Sequence, residues 1–180
     1  IVTFESQAPL EAVVGRTSSI SAWFETDPKD VQKTKGRFEV DLKDLDTGLQ
    51  LRDDHMKGPQ FLDIEKFPKA VFEILEVKTG PGQALGHMKP VTIETMGHFS
   101  VHGVTQKIPV KAVVTFFKES EATRTRLPGD LIRVEASFSI RLSDFSIARP
   151  EMFFYRLGES VDIRLDFFVS SAAQDAVPQP

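Results

Sequence analysis

The feature that most constrains this chain is a hydrophobic period of two, sustained over long segments. Val161, Ile163, Leu165, Phe167 and Val169 alternate with Asp162, Arg164, Asp166 and Phe168. The same beat runs through Phe38, Val40 and Leu42, through Val91, Ile93, Gly97, Phe99 and Val101, from Ile108 to Phe116, and from Ile132 to Leu142. Such alternation puts apolar side chains on one face of a strand and polar ones on the other. Val2 and Phe4 begin another segment of this kind, Ile20, Ala22 and Phe24 another, and Phe72 and Ile74 lie in one that follows Pro68, which gives about eight strands. The connections are too short for crossover helices, so the sheet is antiparallel. A closed barrel and a two-sheet sandwich both satisfy the pattern; roughly eight strands is the number whose barrel holds one small ligand.

Turn signals punctuate the strands: Gly80-Pro81-Gly82, Gly103-Val104-Thr105 as a tight hairpin, and Pro128-Gly129-Asp130. Lys118 to Arg126 reads as a solvated, charged hairpin tip. Leu51 to Glu65 breaks the alternation, with one or two helical turns before Gly58-Pro59 and a second short helical piece from Gln60 to Lys66. Glu11 to Gly15 reads as irregular. Residues 1–169 form one domain, and 170–180 a small, polar, Pro-containing tail. The first residue is Ile, as expected if a leader peptide has been removed.

Composition narrows the function. The 180 residues carry 22 basic and 26 acidic side chains, a net charge of −4, without the basic footprint of a nucleic-acid binder. Cysteine is absent, which removes disulfides, thiolate nucleophiles and Cys-based metal sites. No apolar run approaches the roughly 18 residues of a spanning helix. His98 and His102 are four apart, which on a strand is about 13 Å, too far to share one metal. There is no nucleophile elbow, no glycine-rich phosphate loop and no evident acid–base pair of carboxylates. The chain therefore reads as neither an enzyme nor a cofactor carrier. The run Arg52-Asp53-Asp54-His55 reads first as the cap of a short helix.

Fifteen Phe stand against one Trp and one Tyr. Phe needs no hydrogen-bond partner when buried, so the interior is either a dry core or a hydrocarbon-like cavity. The doublets Phe116-Phe117, Phe153-Phe154 and Phe167-Phe168 each put one ring inward and one outward on a strand. The outward rings call for cover by a helix, the tail or a second subunit, hence a possible homodimer.

Four motifs in order resemble the YceI-like family: Leu51-Arg52-Asp53-Asp54-His55-Met56 with Gln60-Phe61-Leu62-Asp63; Phe67-Pro68-x-Ala70-Val71-Phe72; Gly97 through Thr105; and Ile140-Arg141-Leu142-Ser143-Asp144-Phe145-Ser146-Ile147. The resemblance covers roughly Val2 to Phe168. It implies an extended eight-stranded antiparallel barrel of lipocalin-like shape with one or two short helices. It also implies an apolar pore that holds a polyisoprenoid chain, in a periplasmic or secreted protein that is often dimeric. The chain departs from the family pattern at Leu142, where Arg is usual, at Ser146, where Gly is usual, and between Thr3 and Leu10, which lack a His.

The leading expectation is a binding protein that sequesters or carries a long-chain isoprenoid or similar lipid. The alternative is a β interaction module with a filled core. The expected lining is Phe38, Val40, Leu42, Phe72, Ile74, Phe99, Val101, Val114, Phe116, Phe138, Ile140, Val161 and Ile163. Met56, Phe61 and Leu62 would close one end as a lid. Arg52 and His55 would meet a polar head.

Overall fold

The computed structural model describes residues 1–27, 29–80, 83–149 and 156–172. The Phe153-Phe154 doublet, Pro81-Gly82 of the first turn signal and residues 173–180 of the expected tail lie outside the described residues. Among the described residues nine strands are present: β1 (Val2–Gln7), β2 (Ala12–Thr17), β3 (Ile20–Asp27), β4 (Asp30–Asp41), β5 (Lys69–Lys78), β6 (Pro90–Val101), β7 (Val104–Phe117), β8 (Leu131–Arg141) and β9 (Ser160–Ser170). They form one antiparallel sheet in the order β2-β1-β9-β8-β7-β6-β5-β4-β3. The all-β, lipocalin-like architecture is that expected, with one strand more than the alternation indicated. The addition is β2. Its buried phase holds Val13, Gly15 and Thr17 while Val14 faces out, so its hydrophobic period is hidden.

Connectivity forces the sheet to curl. β2 and β3 occupy opposite ends of the strand order, yet only Ser18 and Ser19 separate them. Three Cα steps reach at most about 11 Å, so the two ends of the sheet meet at that corner. Arg16 and Asp46 exchange backbone hydrogen bonds of 2.9 Å beside it. The rings of Phe38 on β4 and Phe167 on β9, strands that are not neighbours, meet edge-on at 5.5 Å. The result is a curled half-barrel.

Two packed clusters occupy its ends. One gathers Leu42, Leu62, Val101, Ile140, Leu142 and Phe145 where the segments after β4 and β8 fold inward; the other gathers Val31, Val77, Leu85, Val91, Val114 and Ile132. The 3-10 turn Leu142–Phe145 ends at Ser146, whose φ is 57°. The left-handed conformation accounts for the family's Gly there, and Leu142 is buried. The β6–β7 hairpin turns on His102 and Gly103, both at positive φ, the pairing that matches strand twist.

The first helix, α1, spans Gln50–Lys57 and stops at Gly58. The second helical piece expected over Gln60–Lys66 is instead a series of turns, with Asp63 at φ 46°. The charged tip holds a four-residue helix, α2 (Glu121–Arg124), fixed by a capping box between Ser120 and Thr123. This tip also answers the question of the outward rings. Phe117 and Phe168 pack together at 6.2 Å, and the Arg126 guanidinium sits 4.1 Å over the Phe168 ring.

Candidate apolar binding cavity

The inward faces of the strands enclose a cavity of about 1160 Å³, above the roughly 300–1,000 Å³ of pockets for drug-sized ligands. The lining includes Phe38, Val40, Leu42, Phe72, Ile74, Phe99, Val101, Val114, Phe138, Ile140, Val161 and Ile163, together with Met56, Phe61 and Leu62. Phe116 is the exception. It packs against the cluster of Val31 and Val114, at the end of β7 where the 85–88 segment runs parallel beside the strand, with Met88 N–H donating to the Phe116 carbonyl at 2.8 Å. Leu85, buried, lines the cavity.

Residues the sequence reading left out include Leu165 and Phe167, which lie in phase with Val161 and Ile163, and Ala112, Val134 and Ala136, in phase with their own strands. The alternation carried the signal for all five. Val13 was hidden with β2; Phe24 keeps phase with Ile20 and Ala22, so the alternation carried its signal as well, whereas Val31 stands in the polar first half of β4, out of phase with Phe38 and Val40.

Polarity divides the cavity sharply. The charged lining residues Glu11, Arg52, Asp54 and Arg156, with His55, all sit at the α1 end, and Leu49, Leu51, Asp54 and His55 are exposed on its rim. Arg52 is held on three sides: its Nε donates to Thr47 Oγ1, one terminal nitrogen to the Thr47 carbonyl and the other to Glu11, each at 2.9 Å. Buried Asp53 accepts from the Thr47 N–H at 3.0 Å and from its hydroxyl. The Arg-Asp-Asp-His run thus anchors α1 to the β1–β2 turn and the loop before the helix, while His55 faces the opening.

Deeper in, the polar lining is reduced to hydroxyls, each with a partner. Thr26 and Thr34 share a 2.6 Å hydrogen bond, Thr34 donates to the Val31 carbonyl, Thr95 donates to the Val110 carbonyl, and Ser6 accepts from the Gly158 N–H. No buried polar side-chain atom among the described residues lacks a partner. The inner wall therefore presents hydrocarbon and satisfied hydroxyls, a surface suited to an apolar chain. No group of His, Asp and Glu among the described residues is arranged to hold a metal. The carboxyls held below their ordinary range, Glu39, Glu119, Glu159 and Asp166, all lie outside the cavity lining. The Lys69 ammonium and then the Arg37 guanidinium hold Glu39 below its ordinary range, and Arg133 does the same for Asp166.

The family model of the YceI-like domain matches residues 2–169. A UPF0312 protein of Yersinia pestis is 28% identical over 134 residues, covering 74% of this chain and 62% of that protein. One from Pseudomonas aeruginosa is 29% identical over 98 residues, covering 54% of this chain and 47% of that protein. The chain thus spans less than two thirds of the length of these relatives. Among solved structures, Burkholderia cenocepacia BcnA superposes with a TM-score of 0.74 at 16% identity, covering 94% of this chain and 95% of its own. A polyisoprenoid binding domain from Saccharophagus degradans superposes with a TM-score of 0.69 at 16% identity, covering 93% and 91%. At these identities the likeness is one of fold.

Proposed function

We propose that this chain, which belongs to the YceI-like family, is a binding protein that sequesters or carries a long-chain isoprenoid or similar lipid, and is not an enzyme. The observation that carries the reading is a roughly 1160 Å³ cavity whose charged lining is confined to one end. A single-headed lipid matches that division: its chain lies against the wall of Phe, Val and Ile, and its head stays at the α1 opening near His55, Arg52 and Arg156. The fold shared with a polyisoprenoid binding domain supports the same ligand class.

The energetics favour a long chain. Removing about 400 Å² of apolar surface from water yields roughly 10 kcal/mol, set against about 4–15 kcal/mol for association. A short chain does not clear that cost, and a long one does so with few polar contacts. The proposal extends to a periplasmic or secreted location, tested by fractionating the source cells.

The decisive experiment is mass spectrometry of lipid extracted from purified, folded protein, followed by uptake of solanesol from detergent by the stripped protein. Stoichiometric isoprenoid in the extract, or saturable uptake, is the expected result. Folded protein that carries no lipid and takes up none overturns the proposal.

A further inference from the structure

The cavity is not one uniform tunnel. Phe38 pairs in register with Phe72, and Phe72 with Phe99; the last two pack into the α1-end cluster. Phe167 pairs with Val134, Val134 with Val114 and Val114 with Val91; these three pack into the opposite cluster. Phe38 and Phe167 themselves belong to neither cluster, yet their rings touch edge-on at 5.5 Å and 63°, and both line the cavity. Their strands are not neighbours in the sheet, so the contact is made by side chains across the curl and not along one hydrogen-bonded ladder. Phe24 and Phe72 flank Phe38, each with its ring 6.5 Å away.

Resting on the lipid-binding reading above, we propose that Phe38 and Phe167 form an aromatic crossbar that divides the cavity and sets the length of chain it accepts. A single-headed isoprenoid seated at the α1 opening reaches the crossbar first. A chain that ends there is fully buried without moving anything. A longer chain must displace the rings to enter the far chamber. Phe has two side-chain torsions restricted to a few wells, and a ring packed edge-on loses its aromatic contact when it swings away. The far chamber is fit for a hydrocarbon end: its polar groups are the mutually bonded Thr26 and Thr34 and the engaged Thr95.

The test compares farnesol, geranylgeraniol and solanesol, prenols of increasing length, on stripped protein by native mass spectrometry and calorimetric titration. In the parent protein affinity rises with length and then levels off. Phe38→Ala and Phe167→Ala move that plateau to longer chains and raise the solanesol-to-farnesol preference about tenfold, with the milder Phe38→Leu and Phe167→Leu intermediate. Val77→Ala, a comparable truncation at a buried residue that does not line the cavity, leaves the preference unchanged. Circular dichroism melts confirm that each variant is folded, and the Leu variants decide the matter if an Ala variant is not. An unchanged preference in folded crossbar variants, or an equal change in Val77→Ala, overturns the crossbar while leaving lipid binding intact. If the parent binds none of the prenols, the lipid reading fails and the crossbar falls with it.

Discussion

Whether the interior is hollow or filled can be decided by the sign of one stability change. Ala112 on β7 faces Ile93 on β6 and Ala136 on β8, and Ala136 faces Leu165 on β9. Two alanines side by side leave a shallow bay in a wall otherwise built from larger side chains, and both line the cavity. In a filled core, Ala112→Phe would overpack the site and cost about 1–3 kcal/mol. Beside a void of about 1160 Å³ the ring has room. Burying a Phe side chain is then worth up to roughly 1.5–3 kcal/mol. After the cost of ordering it, the net change is a gain on the order of 1 kcal/mol. For a protein of this size each kcal/mol moves Tm by about 2–4 °C. Differential scanning calorimetry of lipid-free Ala112→Phe should therefore show a rise of roughly 2–4 °C, where a filled core gives a fall of about 2–12 °C. Lipid recovered from the variant should drop in parallel, because the ring occupies ligand space. A clear fall in Tm with lipid uptake at the parental level would refute the reasoning.

Three further outcomes follow from named contacts. Phe145 is 1% exposed and rests edge-on against Phe99 at 5.4 Å, so Phe145→Ala should lower the unfolding free energy in urea titrations by about 3–5 kcal/mol. A Cβ at Gly97 would stand 2.2 Å from the Phe72 ring and 2.6 Å from the Glu73 carbonyl oxygen; because backbone cannot yield as a side chain does, Gly97→Ala should cost about 1–3 kcal/mol in the same assay. Glu39, held below its ordinary value of 4.5 first by Lys69 and then by Arg37, stabilises the fold fully above the unfolded-state value and loses that contribution as pH falls through the folded one. Glu39→Gln should therefore flatten the stability-against-pH curve below about pH 4.5, by less than about 1 kcal/mol because the cluster lies at the surface.

The parts of this structure legible in the sequence are those where side-chain chemistry and strand period agree. β9 announces itself because Val161 through Val169 keep one phase without a break, and the lining residues Leu165 and Phe167 follow from the same beat. β2 does not, because Gly15 and Thr17 fill inward positions; Gly15 stands there because the Phe4 ring lies where its Cβ would be. Phe116 has the right phase and still misses the cavity, since phase fixes a face and says nothing of how far along the strand the cavity extends. The anchoring of Arg52 depends on Glu11, 41 residues away, a pairing that no local pattern encodes. The crossbar of Phe38 and Phe167 is of the same kind, set by how far the sheet curls.

A hollow interior also dictates where the fold's stability must reside. Cavities left by core truncation cost about 24 cal/mol per Å³, which for 1160 Å³ extrapolates to roughly 28 kcal/mol. That exceeds the whole stability of an ordinary domain, about 5–15 kcal/mol. The space therefore does not exist as a sealed void; it opens to solvent at the α1 rim and is filled by water or by ligand. The wall then has to stand without a packed centre. It does so through long antiparallel ladders, with β6, β7, β8 and β9 each 11 to 14 residues long, and through the two end clusters, where Leu142, Phe145 and Val77 are almost fully buried. Stability and binding therefore overlap at the ends, where Leu42, Val101, Ile140 and Val114 belong to a packed cluster and also line the cavity. Phe38 and Phe167 line the cavity and belong to neither cluster, so changes there should act first on what the proposed lipid site holds.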